Sequence, residues 1–114
     1  MKLNKLFAVL IMLSMMAVIF AHPAADIKAT FDLAKGSLVV TYDHKVKSAN
    51  DHFIYDVKVL LNKKEIINQN LSLQDALTGG TVYYKIAEAK VGDKITVITE
   101  CNKGGKKSTV IEVK

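Results

Sequence analysis

The sequence predicts an all-β chain, an immunoglobulin-like antiparallel sandwich of about seven strands. Three observations carry this expectation. Apolar and polar residues alternate with period two through segment after segment. The breaks between those segments are rich in Gly, Asn and Asp. Only "LSLQDAL" (71–77) hints at a helical turn. Short alternating segments separated by turn residues mark an antiparallel sandwich, in which one face of each strand is buried and the other is wet.

The segments justify themselves in order. "DIKATFDL" (26–33) sets Ile27, Ala29, Phe31 and Leu33 against Lys28, Thr30 and Asp32. After Gly36, "SLVVTYDH" (37–44) keeps Leu38, Val40, Tyr42 and His44 in one register. "IYDVKVLLN" (54–62) aligns Tyr55, Val57, Val59 and Leu61, with Asp56 and Lys58 opposite. "NKK" reads as a turn into a short strand over 65–70. Gly79-Gly80 precedes "TVYYKI" (81–86), which turns Val82, Tyr84 and Ile86 inward. Gly92-Asp93 precedes "KITVITEC" (94–101), aligning Ile95, Val97, Thr99 and Cys101. "KSTVIEVK" follows Gly104-Gly105 and closes the chain. No internal repeat or second domain is visible.

The first 21 residues read differently. Lys2 and Lys5 precede the apolar run "LFAVLIMLSMMAVIF" (6–20), and Ala21 follows. A basic start, an apolar stretch and a small residue form a secretory signal peptide, so residues 1–21 are expected to be removed. The run falls short of the roughly 20 residues that span a bilayer, which makes a retained anchor the lesser alternative. The mature chain, 22–114, suffices for one domain, secreted or periplasmic, with no membrane attachment once cleaved.

Without Lys2 and Lys5 the basic residues fall from 16 to 14 against 11 acidic ones, a net charge of +3. All of the basic residues are lysine, dispersed along the chain. Readers of phosphate and base edges favour the planar fork of arginine, so no nucleic-acid partner is expected. There is no Gly-x-Ser-x-Gly, no P-loop and no paired-carboxylate site, which disfavours hydrolase and nucleotide chemistry. Whether the chain is an enzyme stays open at this level, as does its oligomeric state.

Four residues can carry chemistry. Two of the three histidines, His44 and His52, bracket one polar loop, "DHKVKSANDHF" (43–53). His44 continues the inward face of its strand where that strand ends, and Cys101 does the same. His52 stands just before the strand that begins at Ile54. Sandwich loops gather at two ends, so these three can converge if they share one. Cleavage after Ala21 would make His22 the mature N-terminus, placing an amine and an imidazole on one residue, a pair that chelates copper. Each has a plainer alternative: exposed polar histidines, a small buried thiol, a polar terminus. A single cysteine in an exported chain makes no internal disulfide.

The order His44, Val46, His52-Phe53-Ile54, then Gly92-Asp93 and Cys101-Asn102-x-Gly-Gly, resembles the iron domain of superoxide reductases, the desulfoferrodoxin and neelaredoxin family. The family signature is His-Pro-Met, then His-Tyr/Phe-Ile, then Cys-Asn-x-His-Gly. The resemblance implies an immunoglobulin-like sandwich, ferrous iron (Fe2+) with His44 and His52 as equatorial ligands, and Cys101 as axial thiolate. It also implies an oxidoreductase supplied with electrons by a small redox protein. A thiolate opposite an open position pushes electron density towards bound superoxide, and amides following the cysteine tune that push.

The departures are specific. Lys45 replaces the family proline, the loop from His44 to His52 is about two residues longer, and Gly104 stands at the last family histidine. The family centre uses four histidines and a cysteine; this chain has three histidines and one cysteine. His22 can supply the early histidine only if the N-terminal arm folds back. Three readings follow. One is an exported relative with a depleted iron site and weak or lost superoxide reduction. The second is a periplasmic copper or zinc module built on His22. The third is a metal-free sandwich for protein contacts.

Overall fold

The computed structural model describes residues 22–114, and the signal peptide expected over 1–21 lies outside the described residues. Seven strands follow one another: β1 (Asp26–Asp32), β2 (Ser37–Asp43), β3 (Ile54–Leu61), β4 (Lys64–Asn70), β5 (Gly79–Lys85), β6 (Lys94–Cys101) and β7 (Lys106–Glu112). They form two antiparallel sheets, ordered β1-β2-β5 and β4-β3-β6-β7. Leu38, Val40 and Tyr42 of β2 share a buried core with Val57 and Val59 of β3 and Ile95 and Val97 of β6. Along these strands the period-two alternation sorts side chains between core and water, whereas Leu33, expected inward, is exposed and Asp56, expected outward, is buried.

Three local departures have physical causes. The pairing of β3 with β6 slips between Ile54 and Asp56, so Ile54 opposes Cys101 while Asp56 opposes Glu100. One extra residue in a strand flips the facing of what lies beyond it. Ile54 is therefore fully buried and Tyr55, expected inside with Val57, is only half-buried. The helical turn anticipated in 71–77 is absent: the segment is an irregular loop in which side chains take up backbone groups, as where the Asp75 carboxylate accepts the Thr81 amide at 2.8 Å. Gly79 and Gly80 open β5 rather than forming a turn before it. A Cβ on Gly79 would lie 1.9 Å from the Tyr42 carbonyl oxygen, so only glycine permits this approach.

The antiparallel registers decide where the loops meet. Asp26 at the start of β1 pairs with Asp43 at the end of β2, so the arm preceding β1 lies beside the loop following β2. Ile54 at the start of β3 pairs with Cys101 at the end of β6, so the segment preceding β3 lies beside the turn after β6. Hydrogen bonds tie the 71–78 loop to the 44–52 segment at separate points: the Val46 amide donates to the Leu77 carbonyl at 2.8 Å and the Gln74 amide to the Ala49 carbonyl at 3.0 Å.

Candidate metal centre

His22, His44 and His52 converge, and Cys101 lies against one of them, His52, each through a nameable local cause. His44 is the residue after β2 and, continuing its inward face, is fully buried. Cys101, last in β6, is likewise buried. His52 is held by Asn102, the residue after the cysteine. The Asn102 side chain accepts the Phe53 amide at 3.0 Å and donates to the Asp51 carbonyl at 2.9 Å, and its own amide donates to the Phe53 carbonyl at 3.0 Å. This three-bond clasp locks the approach to β3 against the turn after β6. It leaves His52 Nε2 3.1 Å from Cys101 Sγ.

His22 arrives with the N-terminal arm, which does fold back. Ala24 is buried, and the Ala25 amide donates to the Asp43 carbonyl at 2.7 Å. Pro23 lies against Gly105, where a Cβ would fall 2.8 Å from both the proline nitrogen and Cδ. His22 Nδ1 is then 3.5 Å from His44 Nε2, and the His22 carbonyl oxygen 3.0 Å from the same atom. Ring centroids stand 5.3 Å apart for His22 and His44, 5.2 Å for His22 and His52, and 4.9 Å for His44 and His52. One nitrogen from each of these rings lies within 4.8 Å of the others, a spacing that could hold one metal ion.

The donor set suits a transition metal better than a hard cation: three imidazoles, with a thiol against one of them and no carboxylate in the cluster. Burial pushes the Cys101 thiol up from its ordinary range, and the amides of Lys103 and Gly104 with the Lys103 charge partly counter that. The Lys103 amide donates to Sγ at 3.4 Å, so an amide following the cysteine does point at sulfur. His52 is held below the ordinary imidazole range, first by burial, then by the neighbouring His44, His22 and Lys103, with Asp51 opposing. A ring that stays neutral has its lone pair free for a metal. A cleft of about 550 Å³ opens over His22 and His52 and is bordered by Lys45, Lys47, Lys103 and Asp51.

The turn that follows Cys101 is built on glycine. The φ of Gly104 is +105° and that of Gly105 +100°, a backbone that L residues adopt only at a cost. The position at which the resembled family carries its last histidine is thus shaped for glycine in this chain.

One residue at the site was not anticipated. Gln74, in the loop read as a helical turn, is buried and its Oε1 lies 2.7 Å from His44 Nδ1. Its Nε2 donates to the carbonyls of His44 at 2.7 Å and Ala76 at 2.8 Å. No spacing pattern marks one glutamine of a polar loop as buried; only the return of that loop onto the end of β2 does so.

No protein-family model and no curated protein matches the sequence. Solved structures do match. A superoxide reductase (1Fe-SOR) from Giardia intestinalis superposes with a TM-score of 0.57 at 12% identity, covering 82% of this chain and 98% of that one. A superoxide reductase (neelaredoxin) from Ignicoccus hospitalis superposes with a TM-score of 0.52 at 16% identity, covering 83% of this chain and 82% of that one. The chain therefore has the fold of the superoxide reductases. It is a strongly diverged example of that fold.

Proposed function

We propose that this chain is an exported metal-binding domain built on the superoxide reductase fold, with His22, His44, His52 and Cys101 as the ligands. The observation that carries the reading is the convergence of all three of the chain's histidines within 4.8 Å, with Cys101 Sγ 3.1 Å from His52. Three positions scattered along the chain, at the arm, the end of β2 and the entry to β3, bring a ring nitrogen each to one place. Iron is the metal in this reading, by analogy with the superoxide reductases of like fold. Bound there, it would supply one-electron chemistry, with a small redox protein as donor. Four ligands stand where the family uses five, so superoxide reduction is weak or lost.

The Asn102 clasp sets the distance between His52 and the thiol. The Pro23–Gly105 contact delivers His22. Burial keeps Cys101 protonated until a cation displaces the proton, so uptake releases a proton and tightens as pH rises. A copper or zinc alternative rests on one contact, His22 Nδ1 and carbonyl facing His44 Nε2: cleavage after Ala21 would add the amine of His22 to that donor set.

Metal content decides between them. The protein is isolated anaerobically from the exported fraction, its N-terminus read by mass spectrometry, and its metals counted beside His44→Ala, Cys101→Ser and His22→Ala. About one iron per chain, lost in His44→Ala and Cys101→Ser, supports the iron reading. Copper or zinc retained in Cys101→Ser and lost in His22→Ala supports the alternative. No stoichiometric metal after reconstitution with any of the three sinks both.

A further inference from the structure

We infer that Gln74 is a positioning residue that fixes the tautomer of His44, presenting a bare Nε2 to the metal site. This rests on the metal-binding reading above and adds a residue to it from outside the ligand set.

The hydrogen bonds of Gln74 fix the orientation of its side-chain amide. Its nitrogen end faces two backbone carbonyls, those of His44 and Ala76, at 2.7 and 2.8 Å. Carbonyls only accept, so the donating NH2 must be at that end and the oxygen at the other. That oxygen is 2.7 Å from His44 Nδ1. An amide oxygen only accepts, so Nδ1 must carry the hydrogen. In a neutral ring Nε2 is then a lone pair.

That lone pair faces the His22 carbonyl oxygen, an obligate acceptor 3.0 Å from Nε2. His22 Nδ1, 3.5 Å away, donates or accepts according to its own tautomer. The lone pairs of Nε2 and the carbonyl oxygen repel at this distance, and a cation between them would remove that repulsion. A metal at Nε2 would give the His44 lone pair a partner while Nδ1 keeps its bond to Gln74. Histidines that bind metals generally spend the other ring nitrogen on an acceptor, which orients the ring and raises its basicity. Gln74 supplies that acceptor here; its backbone amide, donating to the Ala49 carbonyl, ties it to the 44–52 segment, and its side-chain bond to Ala76 fixes it within its own loop.

The test uses the mature chain, first free of metal. Long-range proton–nitrogen NMR of the histidine rings reads the tautomer directly. Wild type should carry the His44 hydrogen on Nδ1. Gln74→Leu should move it to Nε2 in a large fraction of molecules and lower zinc affinity, measured by chelator competition, about 10–100-fold. Gln74→Glu keeps an acceptor for Nδ1 but gives up both donations to carbonyls. It should keep the tautomer and recover most of the affinity. A merely structural glutamine predicts the reverse, with Gln74→Glu as damaging as Gln74→Leu. A wild-type ring protonated on Nε2, or on both nitrogens near neutral pH, overturns the inference, as does an unchanged tautomer in Gln74→Leu. If Gln74→Leu does not fold, the wild-type and Gln74→Glu spectra still decide. A wild type that shows the expected tautomer but binds neither zinc, copper nor iron would uphold the glutamine lock and refute the metal reading.

Discussion

Gly105→Ala tests how His22 is delivered to the site. At φ +100°, alanine is strained by about 1–2 kcal/mol relative to glycine. Its Cβ would also sit 2.8 Å from Pro23 N and Cδ and 3.1 Å from Cβ. Carbon contacts relax at about 3.5–4.0 Å, so the arm must retreat by more than roughly half an ångström. What holds it is modest: one buried alanine and one backbone hydrogen bond from Ala25 to Asp43. The Gly105 carbonyl also accepts the Cys101 amide at 3.0 Å, so Cys101→Ser run beside Gly105→Ala shows whether the thiol is displaced as well. If pulling His22 back into place costs about 1–2 kcal/mol, metal affinity falls roughly 5–30-fold. Chelator competition with zinc, run beside His22→Ala, measures this. The double variant should lose little more than His22→Ala by itself, because both changes act through one ligand. Unchanged affinity in Gly105→Ala, or a full additional loss in the double variant, would refute the claim that Gly105 acts by seating His22.

Two further outcomes test the frame around the site. Asn62 and Lys63 form the two-residue turn between β3 and β4 with φ of +50° and +72°. Such turns favour Asn-Gly, so Lys63→Gly should raise stability by about 1 kcal/mol in urea titrations; a lowered midpoint would contradict that. Burial, helped by the Asp75 carboxylate, pushes the Tyr42 phenol up to about 12. Between its ordinary value of 10 and 12 the folded chain keeps a proton that the unfolded chain has lost. Stability therefore falls as pH rises through that window, by on the order of 1–2 kcal/mol from Tyr42 once solvent screening is allowed for. Wild type should lose that much more than Tyr42→Phe between about pH 8 and about pH 11. Equal losses would show that the buried phenol is not the cause.

Much of the architecture was legible because its cause is local. Alternation identified the inward faces of β2 and β6 residue by residue, including His44 and Cys101 at their ends, since a strand's period of two admits no other facing. Turn chemistry placed the breaks. The same argument failed at Tyr55, where a bulge shifts the phase, because a bulge is a property of two paired strands and not of either one. It failed also over 71–77, where a short amphipathic run could be a turn of helix and is instead a loop organised by Gln74 and Asp75.

For the site, the amino-acid order determined which groups are available: three imidazoles, one thiol, and a glycine where a fourth imidazole would stand. It also determined that two of them end inward-facing strands. Only the tertiary structure decided that they meet. Antiparallel pairing puts the start of β1 beside the end of β2 and the start of β3 beside the end of β6, and the packing of the two sheets sets those ends together. The arm's return onto Gly105 and the glutamine behind His44 belong to the same level. A contact between residues far apart in the chain has no local signature, because what stabilises it is the fit of surfaces that exist only once the sheets have packed.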